Sequence, residues 1–179
     1  MKKIMWAAVA LTLFAMTSRA QNTPKADVGV GYDFLHITSG GGLNMNGFGA
    51  SVAYNVTDMI GIVGDFGYYH GSVTVLGTST GVNAESYTFG PRFSIRKYDK
   101  ATPFVQALFG GSHASASLFG STASLNPFAF AFGGGVDFPL KGDKVGLRPE
   151  FDYVGLRSNG TTTNSVRIGV GLVFHIGQK

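Results

Sequence analysis

The sequence predicts an all-β chain: an eight-stranded antiparallel up-and-down transmembrane β-barrel with its apolar face outward. Three observations lead there. Strand-length stretches recur with large apolar residues on one parity and small, polar or charged residues on the other. Glycine is abundant, at 27 residues, and gathers on the second parity. Short turns alternate with longer polar connections.

The last stretch, Ser165 to Ile176, is the clearest. Val166, Ile168, Val170, Leu172, Phe174 and Ile176 share one parity. Ser165, Arg167, Gly169, Gly171, Val173 and His175 share the other. At helical spacing the apolar set would scatter around the axis, so the stretch is a strand.

At the other end, Lys2 and Lys3 precede a largely apolar run, Ile4 to Met16, and Ser18-Arg19-Ala20 ends in small residues. This is the pattern of a secretory signal cleaved after Ala20, leaving 21–179 as one barrel domain. Residues 1–20 carry Lys2, Lys3 and Arg19 and no acid, so eleven bases face ten acids in the remainder. The basic balance therefore gives no case for nucleic acid. With no cysteine, disulfides and thiolate metal sites are excluded. No apolar run after the signal is long enough for a transmembrane helix.

Taken in order, the first strand (Ala26–Ile37) sets Val28, Val30, Tyr32 and Phe34 against Asp27, Gly29, Gly31 and Asp33. The second (Asn46–Asn55) sets Phe48, Ala50, Val52 and Tyr54 against Gly47, Gly49, Ser51 and Ala53. The third (Met59–His70) sets Ile60, Ile62, Phe66 and Tyr68 against Gly61, Val63, Asp65 and Gly67. The fourth (Ala84–Lys97) opposes Tyr87, Phe89, Phe93 and Ile95 to Gly90, Arg92 and Arg96, with Pro91 predicting a bulge. In the fifth (Pro103–Ser112), Phe104 and Leu108 break the alternation of Val105, Ala107 and Phe109. The sixth (Pro127–Phe138) is emphatic, with Phe128, Phe130, Phe132, Val136 and Phe138 against Ala129, Ala131, Gly133, Gly135 and Asp137. The seventh (Val145–Arg157) sets Val145, Leu147, Phe151 and Tyr153 against Arg148, Glu150 and Asp152. The connections 55–58, 98–102 and 139–144 read as short turns, and 37–45, 71–83, 111–126 and 158–164 as external loops.

A soluble sandwich would bury the apolar parity and wet the other, which would then carry Lys, Thr and Glu rather than rows of glycine. A closed membrane barrel explains both faces. Closure removes the sheet edges that lipid cannot satisfy. An eight-stranded lumen has room only for side chains, so Gly and Ala make space for charges. An arginine turned to lipid near mid-bilayer costs about 2–4 kcal/mol. Turning Asp33, Asp65, Arg92, Arg96, Asp137, Arg148, Glu150, Asp152 and Arg167 inward avoids that penalty. These nine residues are expected to form a paired structural network that plugs the lumen. Tyr32, Tyr54, Tyr68, Tyr87, Phe138 and Tyr153 are expected in the interfacial girdles.

With Phe89-Gly-Pro-Arg-Phe93, the turn before Pro103-Phe104, Gly133-Gly-Gly-Val-Asp137 and the final strand, residues 26–177 resemble the OmpA-like and OmpX-like eight-stranded outer-membrane barrels. The resemblance implies a non-catalytic protein of the bacterial outer membrane, structural or acting through its four external loops. Its implied partners are outer-membrane lipid and, during biogenesis, periplasmic chaperones and the barrel-assembly machinery. It implies no cofactor, and it leaves the external ligand unnamed. No peptidoglycan-binding domain is expected after the barrel. The ending Phe174-His-Ile-Gly-Gln-Lys179 also displaces the usual terminal aromatic.

Two other functions compete. His113 and Ser115, with Glu85 as a third member, are the residues a lipid A deacylase would need, because a Ser nucleophile requires a base within hydrogen-bond reach. In so Ser-rich a stretch a serine near a histidine carries little information. A soluble lipocalin-like carrier would require an apolar cavity, whereas the inward face is charged. His36, His70 and His175 are dispersed along the chain and show no metal-ligand spacing.

Overall fold

A computed structural model describes residues 23–39, 42–75, 78–118, 121–140 and 144–178; the signal sequence lies outside them. The described residues form nine strands and no helix. They are β1 (Pro24–Ile37), β2 (Leu43–Asn55), β3 (Ile60–Val75), β4 (Thr78–Ser94), β5 (Thr102–Leu118), β6 (Ser121–Leu125), β7 (Phe128–Pro139), β8 (Val145–Ser158) and β9 (Thr161–Gln178). All ladders are antiparallel, and β1 pairing with both β2 and β9 closes the ring. Against β5, β6 and β7 keep one register: Leu125 faces Ala114 and Phe128 faces Gly111. The Ser112 N–H donates to the Pro127 carbonyl at 3.0 Å across the gap. The two are therefore halves of one barrel position, and the barrel is eight-stranded.

The alternation sorts as lipid requires. Val30, Phe48, Phe89, Phe151 and Ile168 lie exposed on the outer wall, while Val63, Leu108 and Val173 are fully buried inside. Glycine serves two ends. A Cβ at Gly47 would overlap the Tyr68 carbonyl oxygen, so glycine permits close strand approach there. On the outer wall the Phe130 ring covers Gly155 and the Tyr87 ring covers Gly111, restoring apolar surface where the backbone is bare.

Four local expectations are corrected. Pro91 makes no bulge: β3 and β4 keep one register from Ile60↔Phe93 to Val75↔Thr78, and on the β5 side the ladder simply skips Gly90 and Pro91. Pro149 interrupts the β7–β8 ladder in the same way. The segments 71–83, 111–126 and 158–164 are mostly strand, not loop, so the external connections are hairpins. One of them turns at Asn159-Gly160, whose φ values of 48° and 81° suit a two-residue hairpin turn. Phe104 and Leu108 do not break the fifth strand's pattern; they face the lumen with Gln106. Finally, Arg96 lies beyond the end of β4.

Val170 is half exposed in the middle of β9. Val170→Arg should lower stability in phospholipid vesicles by about 2–4 kcal/mol, read from guanidinium unfolding. An unchanged midpoint would show that this side chain does not face hydrocarbon.

Candidate functional site: the lumen and the external rim

Two regions gather polar side chains, and each follows from strand parity. In the lumen, Arg167 of β9 is the hub. Its Nε and Nη2 donate to Asp152 Oδ2 at 3.0 and 2.7 Å. Its Nη1 reaches Asp65 Oδ1 at 2.7 Å and the Tyr69 hydroxyl at 3.4 Å, and Nη2 lies 3.4 Å from Glu150 Oε1. One guanidinium thus joins β9 to its neighbour β8 and, across the lumen, to β3.

Arg148 forms a bidentate pair with Asp137 at 2.6 and 2.8 Å. Arg92 donates twice to Gln106 Oε1, at 3.1 and 2.7 Å. The Gln106 amide then donates to Glu150 at 2.6 Å and Asp152 at 3.2 Å, linking this layer to the hub. Phe104 lies under both cations, its ring centroid 4.2 Å from Arg92 Cζ and 4.9 Å from Arg148 Cζ. At the short-turn mouth Arg96 donates to Asp27, Asn55 and the Asp58 carbonyl, and His175 Nδ1 lies 2.6 Å from Asp27 Oδ1.

Of the nine residues singled out from sequence, Asp65, Glu150, Asp152 and Arg167 therefore meet in one cluster, which Arg92 joins through Gln106, and Asp137 and Arg148 in a second. Arg96 belongs to the mouth. Asp33 is buried and accepts from the Tyr69 hydroxyl at 3.4 Å; among the described residues no cation stands within salt-bridge distance of it. Gln106, Tyr69, Phe104, Asn55 and Asp27 are additions. Asp27 and Gln106 were on the lumen parity, a signal that was available, whereas an aromatic under two guanidiniums has none.

Apolar side chains fill the remaining cross-section. Leu35, Met45, Tyr69 and Ala84 pack towards the external end, and Ala53, Val63, Leu108 and Ala131 form a second cluster. A cavity of about 40 Å³ beside Gly29, Asp33, Asp65, Arg148 and Arg167 has room for a few waters. The lumen is a plug rather than a ligand cavity, which removes the lipocalin-like reading.

The external rim carries the second set. His36, His70 and His113, far apart in sequence, all lie on the outer wall. Each Nδ1 pairs with the Asn Oδ1 directly across a hairpin: Asn44 at 2.6 Å, Asn83 at 2.7 Å and Asn126 at 2.7 Å. One step towards the membrane, Tyr32 donates to Asn46, Tyr68 to Asn83 and Tyr153 to Asn164. Glu85 faces His113 across the β4–β5 ladder. The acid–base–nucleophile arrangement is nonetheless not made. His113 Nδ1 is held by Asn126, and among the described residues no hydrogen bond joins His113 to Ser115 or Glu85.

The hub yields a direct prediction. Arg167→Met would leave Asp65, Asp152 and Glu150 without their shared cation and should cost about 3–5 kcal/mol in vesicle unfolding. A loss below about 1 kcal/mol would show that the carboxylates need no such partner.

Comparison with known proteins agrees with this architecture. Residues 6–174 match the family model described as outer membrane protein beta-barrel domain. The attachment invasion locus protein of Yersinia enterocolitica is 27% identical over 149 residues, covering 77% of this chain and 82% of that protein. The crystal structure of Neisserial surface protein A superposes with a TM-score of 0.72 at 15% identity, covering 87% of this chain and all of that one. Ail of Yersinia pestis, solved with the heparin analogue sucrose octasulfate, gives a TM-score of 0.59 at 20% identity, covering 85% and 99%. With a closed eight-stranded barrel, an apolar outer wall and a family match across most of its length, this chain belongs to the outer-membrane β-barrel domain family and is a protein of the bacterial outer membrane.

Proposed function

We propose that the protein is a non-enzymatic surface protein that attaches to an external partner through a sheet projecting from one side of the barrel. One observation carries this reading. Above the β2–β3 ladder, which ends at Met45↔Gly71, β3 continues to Val75 and pairs only with β4. The β4–β5 ladder reaches Val82↔Ala116, and β6 adds to β5 as far as Leu118↔Ser121. Beyond the rung Gly71–Val82–Ala116–Ala123 the sheet continues as two hairpins, β3–β4 and β5–β6, and β6 is the terminal strand of the sheet order.

Such an edge offers unpaired N–H and C=O groups to an extended segment of another protein. The attachment named for the Yersinia relative supports a contact role of this kind. A polyanion partner is less well supported. Among the described residues exposed in the external half, Arg157 is the one arginine and there is no lysine, while Lys25, Lys97, Lys100 and Lys144 lie at the short-turn end.

In this reading the nine lumen residues are structural, holding a plug that transports nothing. Residues 1–20 are the cleaved signal, and 21–179 the barrel domain. Periplasmic chaperones and the assembly machinery deliver it. Absence of catalysis is part of the proposal: lipid A mass spectra should be the same with wild type and with Ser115→Ala, and a deacylated species lost in the variant would overturn it.

The edge is tested with Ala123→Pro and Ser124→Pro. Neighbouring N–H groups point to opposite sides of a strand, so one of the two removes a donor on the open side. Bacteria displaying that variant should lose most of their attachment to cultured animal cells, while the heat-dependent gel mobility of the folded barrel persists. Undiminished attachment in both variants would exclude the β6 edge.

A further inference from the structure

The repeated His–Asn pairs on the outer wall have no part in the lumen plug or in the projecting sheet. They occur at the feet of three of the four external hairpins, on successive pairs of strands: His36–Asn44 on β1–β2, His70–Asn83 on β3–β4 and His113–Asn126 on β5 and the β6–β7 junction. The fourth hairpin carries Asn164, held by Tyr153, and Arg157, exposed opposite Phe128 and Thr162. These residues form a polar collar around the barrel.

The collar's height identifies what it faces. It lies immediately external to Tyr32, Tyr68 and Tyr153, whose hydroxyls reach up from the edge of the apolar wall to Asn46, the neighbour of His70, and to Asn83 and Asn164 of the collar. Tyrosines in that position mark the boundary between hydrocarbon and headgroups. The layer against the collar is therefore the headgroup layer of the outer leaflet.

The hydrogen bonds also fix the chemistry on offer. An amide oxygen only accepts, so each imidazole donates through Nδ1, and among the described residues Nε2 has no hydrogen-bond partner. Glycines lie beside two of the rings: a Cβ at Gly42 or Gly81 would be in ordinary contact, 3.7 Å from Cε1 of His36 or His70. A neutral ring presents a lone pair at Nε2, and a protonated ring presents a second N–H donor and a positive charge.

We propose that this collar binds the phosphate of anionic lipid headgroups, and that acid strengthens the binding by protonating His36, His70 and His113. At neutral pH the collar has Arg157 alone against Glu85. In acid it gains three cations without moving an atom, because Asn44, Asn83 and Asn126 accept from either form of the ring.

The groups facing each ring are mostly uncharged. His36 lies between Asn44 and Val166, and His70 between Asn46 and Asn83. His113 lies between Glu85 and Asn126, and Glu85, diagonal to His70, is the one carboxylate among them. Removing Glu85 should therefore raise binding at neutral pH.

The test uses the full chain in phosphatidylcholine bilayers and spin-labelled phosphatidylglycerol against spin-labelled phosphatidylcholine. The readout is the ratio of their association constants with the protein at about pH 8 and about pH 5, the range in which imidazole titrates. One positive charge near an anionic surface is worth about fivefold in affinity. The wild type should gain about that factor in acid. The triple variant His36→Gln, His70→Gln, His113→Gln keeps a donor for each asparagine and should show no gain, and Glu85→Gln should raise the ratio at about pH 8.

Heat-dependent gel mobility checks that each variant is folded. A pH-independent ratio in wild type, or an equal gain in the triple variant, overturns the proposal. Inorganic phosphate abolishing the acid gain at concentrations too low to screen charge would also overturn it, by assigning the collar to a small anion.

Discussion

Hydrocarbon offers no hydrogen bond to a backbone N–H or C=O, so a sheet that crosses a bilayer must have no edge within it. Everything else in this molecule depends on that constraint. Pairing β1 with β9 meets it, and closing at eight strands then sets a lumen only as wide as the side chains that fill it. The two faces of each strand thereby meet opposite surroundings. The outer face must be apolar across the membrane, and the inner face must pack and pair.

The inner face meets these demands with guanidiniums. Four arginines reach carboxylates or amides on other strands, and no two of them use the same set of partners. Arg167 is the least replaceable, since it ties β3, β8 and β9 across the barrel. Glycine complements this arrangement. Where a carboxylate lies along the inner wall, as Asp33 does against Gly49 and Gly169 on the two flanking strands, any larger side chain there would collide with it.

Much of this was legible in the sequence because lipid imposes a parity rule that single residues obey. The final strand states it without exception, and the glycine-rich inner face excluded a soluble sandwich. Legibility failed where the rule is silent. Phe104 and Leu108 are apolar on both counts, and only the structure shows them inside, one beneath two guanidiniums. Outside the membrane the parity rule lapses, so 71–83 and 111–126, rich in Gly, Ser and Thr, read as loops although neighbouring strands hold them in ladders. The His–Asn collar was invisible for another reason: its members become neighbours only when register places distant hairpins at one height.

Contact with the outside therefore rests on features beyond the membrane-spanning wall: an open sheet edge above it and a titratable collar at its rim. Both presuppose that the outer wall is the apolar one. That assignment is tested most directly by a cysteine scan of β9, in a chain that has no native cysteine. Fluorescent labels would be placed singly through Ile168→Cys, Val170→Cys and Leu172→Cys on one parity, and Ser165→Cys and Val173→Cys on the other. Lipids brominated on their acyl chains should quench the first set strongly and leave the second set, buried in the lumen, dim or unlabelled. Quenching that failed to alternate, or that favoured Ser165 and Val173, would contradict the barrel's inside–outside assignment.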